Sequence, residues 1–190
     1  MRLASVLLCA VTATALANPP SKTLERAIKL YDKKDFTSAT IELHKVVSGE
    51  AGDDQPNIQR AQFFVGKALF NLGFHAPAYA AFDAITQKGA SHTYYSATLK
   101  WYVALAEKLP IDFVANLGRF SPKEIAEPVN ASVRDQVAYR RGLLWLERGK
   151  PDDAARELAT VPEASPYYGR ARLALGFTKL RTKKSAEALA

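Results

Sequence analysis

Four alanines, Ala39, Ala78, Ala115 and Ala154, recur at intervals of 39, 37 and 39 residues, and Ala186 follows 32 later in a similar local pattern. Twelve residues before an alanine of this series stands a small residue, Ala27, Gly66, Gly142 or Ala174. Seven residues beyond each of these comes a chain reversal, at Lys34, Gly73, Gly149 and Arg181. A period of this length is the mark of stacked helical hairpins, in which each unit buries its apolar face only against its neighbours. Such stacks build a continuous surface and seldom a closed catalytic cleft. The period therefore turns attention to a held partner.

The apolar segments have helical spacing. Leu24, Ala27, Ile28, Leu30 and Tyr31 define a first helix, and Ala39, Ile41, Leu43, Val46 and Val47 a second, ending near Gly49. Asn57 or Pro56 starts the next helix, through Phe63, Phe64, Val65, Ala68, Leu69, Phe70 and Leu72. Its partner runs over 76–87 with Ala78, Ala81, Phe82 and Ile85 inward. Ser91 is placed to cap a long third helix reaching Leu109 before Pro110, followed by two short pieces, 111–117 and one begun by Ser121-Pro122-Lys123-Glu124. A hairpin from Ala131 to Thr160 turns at Gly149-Lys150-Pro151-Asp152, and a fifth unit begins at Tyr167. No segment alternates with strand periodicity. The expected units are 21–50, 57–89, 91–128, 131–162 and an incomplete 166–190.

Residues 1–17 read as a cleaved secretory signal: Arg2, an apolar stretch from Leu3 to Ala13 too short to span a bilayer, and small residues Ala15 and Ala17 before Asn18-Pro19-Pro20. The cut is expected after Ala17, leaving a helical domain over 18–190 that is exported to a periplasmic or extracellular space. Cys9 comes early and follows Leu8, which disfavours a lipid anchor, and the cut chain holds no cysteine. Packing alone must then hold the fold. The net charge of +7 favours anionic partners, with Arg170, Arg172, Lys179, Arg181, Lys183 and Lys184 concentrated near the end. Nucleic acid is not expected as a partner of an exported helical array, and no further segment is apolar enough to span a membrane.

Catalytic and metal chemistry find no support. His44, His75 and His92 are scattered and read as surface or interhelical residues, and neither a phosphate-cradling glycine loop nor a serine elbow is present. Asp53-Asp54 and Asp152-Asp153 fall where carboxylates cap helix starts. Asn130-Ala131-Ser132 matches a glycosylation acceptor, meaningful only in a eukaryotic host. No catalytic residue, cofactor or metal is expected.

Ala27, Leu30, Asp35-Phe36 and Ala39, then Val65-Gly66, Leu69, Gly73, Ala78 and Phe82, then Gly142, Trp145, Gly149, Ala154 and Leu158, resemble the tetratricopeptide repeat (TPR) family. The resemblance spans about residues 21 to 190, with spacings above the usual 34 and a third unit that loses its second-helix pattern. It implies an all-α fold, a right-handed superhelical array of antiparallel helix pairs, with four to five units whose first helices line a concave peptide-binding face. Carried over position by position, that face would hold Arg60, Phe63, Lys67, Lys100, Tyr139, Arg140, Arg172 and Lys179. Such a basic groove with aromatic patches suits a protein or peptide bearing an acidic segment or a free carboxylate. Two roles fit: a non-catalytic periplasmic or cell-envelope scaffold, or a helical accessory region of a larger envelope enzyme such as a peptidoglycan lytic enzyme. The fifth unit stops without a polar capping helix, so the chain is expected either to continue past Ala190 or to have this end covered by a partner or by self-association.

Overall fold

The computed structural model describes residues 18–110 and 116–181, except the side chain of Arg181. The expectations for the leader, for Ala115 and for residues beyond Arg181 lie outside them. Among the described residues every regular element is helical. The helices are α1 Lys22–Asp32, α2 Phe36–Val47, α3 Gln55–Asn71, α4 His75–Thr86, α5 Leu99–Leu105, α6 Pro122–Ala126, α7 Arg134–Glu147, α8 Pro151–Ala159 and α9 Tyr168–Arg181. Consecutive helices α1 to α4, and again α7 to α9, pack pairwise in sequence order.

Three hairpins turn identically. After α1, Lys34 takes φ 63°, its N–H donates to the Tyr31 carbonyl at 2.9 Å, and Asp35 N–H donates to the Leu30 carbonyl at 3.0 Å. Gly73 (φ 81°) and Phe74 repeat the pattern onto Phe70 and Leu69, and Gly149 (φ 69°) and Lys150 repeat it onto Leu146 and Trp145. This is the Schellman closure, which satisfies the last helical carbonyls and requires a left-handed residue just past the helix. Lys34 pays a steric penalty that glycine does not. Lys34→Gly should therefore stabilise the chain by about 0.5–1 kcal/mol, read as a higher urea midpoint at unchanged slope. A lowered midpoint would contradict the assignment.

The recurring small residues let paired helices approach. A Cβ added to Gly66 would lie 2.7 Å from the Phe82 ring, and one added to Gly142 would lie 2.5 Å from Leu158 Cγ. Phe82 and Leu158 each follow their glycine by sixteen residues, as Leu43 follows Ala27 in the first core cluster. Ala39, Ala78 and Ala154 are all fully buried. Offset by one, Arg26 pairs with Glu42 and Arg141 with Glu157 at 2.8 Å, whereas the second hairpin places Val65 and Ala81 there.

Helix caps follow the sequence. Asp54 caps α3 through Asn57 N–H, so the helix starts at Gln55, one or two residues before the expected Pro56 or Asn57. Ser121 and Glu124 form a capping box at α6, and Asp152 and Asp153 sit in the first turn of α8.

The third unit departs from expectation. In place of one long helix from Ser91, two 3₁₀ turns, Gly89–Ser91 and Ser96–Thr98, precede the seven residues of α5. Side chains there take over bonds that a helix would make: Ser91 Oγ donates to the Lys88 carbonyl, Thr98 Oγ1 to the Tyr95 carbonyl, and Tyr94 N–H to His92 Nδ1. Residues 116–133 then fold back on α4 and α5. Arg119 pairs with Asp83 and donates to Thr86 Oγ1 at 2.7 Å, while Tyr95 stacks on Phe120 at 5.1 Å. Fully buried Asn130 directs Nδ2 to Ser96 O, Ser96 Oγ and Glu124 O. That amide has no access to solvent, so the glycosylation reading is wrong for the folded chain. Helix α7 starts at Arg134 instead of Ala131, after a turn in which Val133 N–H donates to the Asn130 carbonyl at 3.0 Å.

Candidate protein-binding face

Helix α3 presents Arg60, Phe64, Lys67 and Asn71 at spacings of four, three and four, so they share one face. Tyr31, at the end of α1, stands beside them, its ring 5.0 Å from that of Phe64, edge to face. Lys67 Nζ lies 3.9 Å from the Phe64 centroid, 4.5 Å from Tyr31 and 5.8 Å from Phe63. Arg60 Cζ lies 6.0 Å from the centroid of the same Phe64 ring. Asn71 Nδ2 donates to Lys67 O at 2.8 Å and to the Tyr31 hydroxyl at 3.2 Å, fixing that ring.

The aromatic arrangement repeats one unit on. Tyr31 contacts Phe36 and Phe64 at 5.2 and 5.0 Å, and Phe70 contacts His75 and Trp101 at 5.4 and 5.3 Å, all edge to face. Trp101 thus takes the place in the third unit that Phe64 has in the second, which keeps α5 in register despite its shortness. Lys100 Nζ, adjacent, is 5.8 Å from the Trp101 ring.

Electrostatically the face is one-sided. Burial lowers the Lys67 pKa first, the charges of Lys100 and Arg60 lower it further, and Asp32 opposes them. Ring faces attract these cations by about 0.5–2 kcal/mol each, depending on exposure. Arg60, Lys67 and Lys100 form no ion pair among the described residues. Arg60, Lys67 and Lys100 thus each lie within 6.0 Å of an aromatic ring centroid on this face.

The other expected groove residues are placed differently. Phe63 is 6 % exposed and belongs to the core, stacked on Tyr94 at 4.8 Å, so it supports the face from beneath and offers little surface. Tyr139 is half-buried and stacks on Tyr167 at 5.7 Å, and Arg140 pairs with Glu107 at 3.5 Å. Arg172 is exposed and Lys179 half-buried, both on α9. Arg60, Lys67 and Lys100 are the members brought together. Tyr31, Asn71 and Trp101 were not among the groove residues expected; the signal that marks the rings is their equivalence to Phe70 and Phe64 across the repeat.

Among the described residues no group of three or more His, Cys, Asp or Glu is placed to hold a metal, and no helix is long and apolar enough to cross a membrane. On α9, Leu173, Phe177 and Leu180 are 65, 56 and 52 % exposed and form a stripe at i, i+4 and i+7.

No protein-family model and no curated protein sequence matches this chain. Solved structures do. A crystal structure of MamA protein superposes with a TM-score of 0.54 at 20 % identity, covering 88 % of this chain and 84 % of that one. A second MamA crystal structure gives 0.52 at 21 % identity, covering 86 % and 88 %. A thermophilic TPR protein in Thermus thermophilus gives 0.42 at 22 % identity, covering 88 % and 84 %. The MamA likeness extends along most of both chains, and with the repeated turns and small-to-large register it shows a TPR-like α-solenoid of antiparallel helix pairs.

Proposed function

We propose that this chain is a non-catalytic scaffold of the cell envelope, exported to the periplasmic or extracellular side, that holds protein partners against the basic, aromatic face of its first helices. The observation that carries this reading is the cluster of Arg60, Lys67 and Lys100, charged alike, without ion-pair partners among the described residues, and set over Phe64, Tyr31 and Trp101. An acidic partner segment, or a free carboxylate, supplies the missing charge, and its apolar side chains meet the rings. Helical-repeat arrays are suited to this work because stacked units extend one binding surface over many residues.

The test is capture from envelope extract by the exported protein beside the triple variant Arg60→Glu, Lys67→Glu, Lys100→Glu, with circular dichroism to show equal helix content. A defined protein retained by the wild type and lost by the variant is the expected result. Equal retention by both would remove this face from the account. Retention of peptidoglycan fragments alone would favour an accessory region of a larger envelope enzyme.

A further inference from the structure

Asn18 and Ser21, just after Ala17, are hydrogen-bonded to the start of the second hairpin. Asn18 N donates to Asp54 Oδ2 at 2.7 Å, and Asn57, 6 % exposed, donates Nδ2 to the Asn18 carbonyl at 2.9 Å. Pro19 and Pro20 carry no N–H. The next donor, Ser21 N, reaches Asp53 Oδ1 at 2.9 Å, and Ser21 Oγ reaches Asp53 Oδ2 at 2.6 Å. Both anchors are themselves fixed at helix starts: Ser21 accepts from Leu24 N, and Asp54 Oδ1 accepts from Asn57 N. Two adjacent carboxylates thus face the same four residues, and neither forms an ion pair among the described residues, in a chain of net charge +7. The atom placed where a cation would complete the arrangement is Asn18 N.

We propose that the chain is cut between Ala17 and Asn18, and that the new α-ammonium is bound by Asp54, locking the mature amino terminus onto the start of the second hairpin. This rests on reading residues 1–17 as a secretory signal. The cut is a hydrolysis by an export peptidase: water adds across the Ala17–Asn18 amide, its hydroxyl going to the Ala17 carbonyl carbon and its proton to Asn18 N. The released amine takes a further proton from solvent at neutral pH. A neutral amide donor at 2.7 Å from Asp54 then becomes a charged one, which strengthens the bond about twofold. Processing in this way supplies the cation that the acidic pair lacks.

The test expresses the full 190-residue chain in a secretion-competent bacterial host, as wild type and as Asp54→Asn, and determines each amino terminus by intact mass and terminal sequencing. Asparagine still caps α3, so the variant removes charge and keeps the helix start. Both proteins are expected to begin at Asn18, with the variant's α-amine acylated about two- to fivefold faster at pH 7 by an amine-reactive ester, the range set by an exposed ion pair. A retained leader would overturn the signal reading and the clamp together, and a cut at another bond would overturn the clamp while leaving the leader a processed signal. A cut before Asn18 with equal acylation rates would overturn the clamp alone. Should the variant fail to accumulate, the wild type acylated at low and high salt decides: acceleration by salt is expected from screening of the pair, and an unchanged rate would overturn it.

Discussion

Gly142→Ala is expected to destabilise the protein by up to about 2 kcal/mol, although alanine is the better helix former. The added methyl would lie 2.5 and 2.6 Å from Leu158 Cγ and Cδ2, and Leu158 is 2 % exposed, so either its packed side chain or the helix contact must shift. Overpacking of this kind costs about 1–3 kcal/mol, against which the propensity gain of about 1 kcal/mol is the smaller effect. Gly66→Ala should behave alike, since its methyl would meet the fully buried Phe82 ring at 2.7 Å. Gly169, near the start of α9, has nothing within 4 Å of an added Cβ, and Gly169→Ala should leave stability unchanged or raise it. Denaturant unfolding of the three variants checks the contrast. In the double variant Gly142→Ala, Leu158→Ala the losses should fall short of the sum, because the second change removes the atoms that the first one strikes. Equal effects at all three glycines would show that close helix approach is not what selects them.

Acidification from pH 7 to pH 4 should cost about 3 kcal/mol through His92 alone. Its ring is 1 % exposed, with Nε2 3.2 Å from Gln62 Oε1 and Nδ1 accepting from Tyr94 N–H at 3.2 Å. Those partners fit the neutral ring with its proton on Nε2. A second proton would have to enter at Nδ1, against the Tyr94 donor. Burial, reinforced by the charge of Lys88, pushes the pKa from 6.5 down to about 4. The unfolded chain therefore binds the proton first, so stability is complete above pH 6.5 and declines as pH falls toward 4. The carboxylates add their own acid loss, so the comparison is with His92→Gln, whose amide can accept and donate and carries no titration. The wild type should lose more stability than this variant between pH 6.5 and 4, and parallel pH profiles would contradict the buried neutral ring.

The hairpin array was legible because close packing leaves a periodic trace: Gly66, Gly142 and Ala27 are small for one reason, and Lys34, Gly73 and Gly149 mark one turn geometry. The third unit was not legible. Its apolar residues kept helical spacing from Tyr94 onward, yet the bonds that break the helix come from Ser91, His92 and Thr98 side chains and from the distant Arg119 and Phe120. Asn130 shows the same limit, since a three-residue motif says nothing of burial and this asparagine is fully enclosed. Repeat position picked out Arg60, Lys67 and Lys100, which the fold brings together, but it also placed Phe63 at the surface. Its ring turns inward because Tyr94, from the irregular segment, stacks on it.

The central claim, that partners are held on the first-helix face, is tested most directly by hydrogen–deuterium exchange of the protein with and without a retained protein partner. Protection concentrated in residues 60–71 and 94–105, and lost with the Arg60, Lys67 and Lys100 charge reversals, is the predicted result. Protection confined to the second helices, Phe36–Val47 and His75–Thr86, with 60–71 exchanging as in the unbound protein, would contradict it.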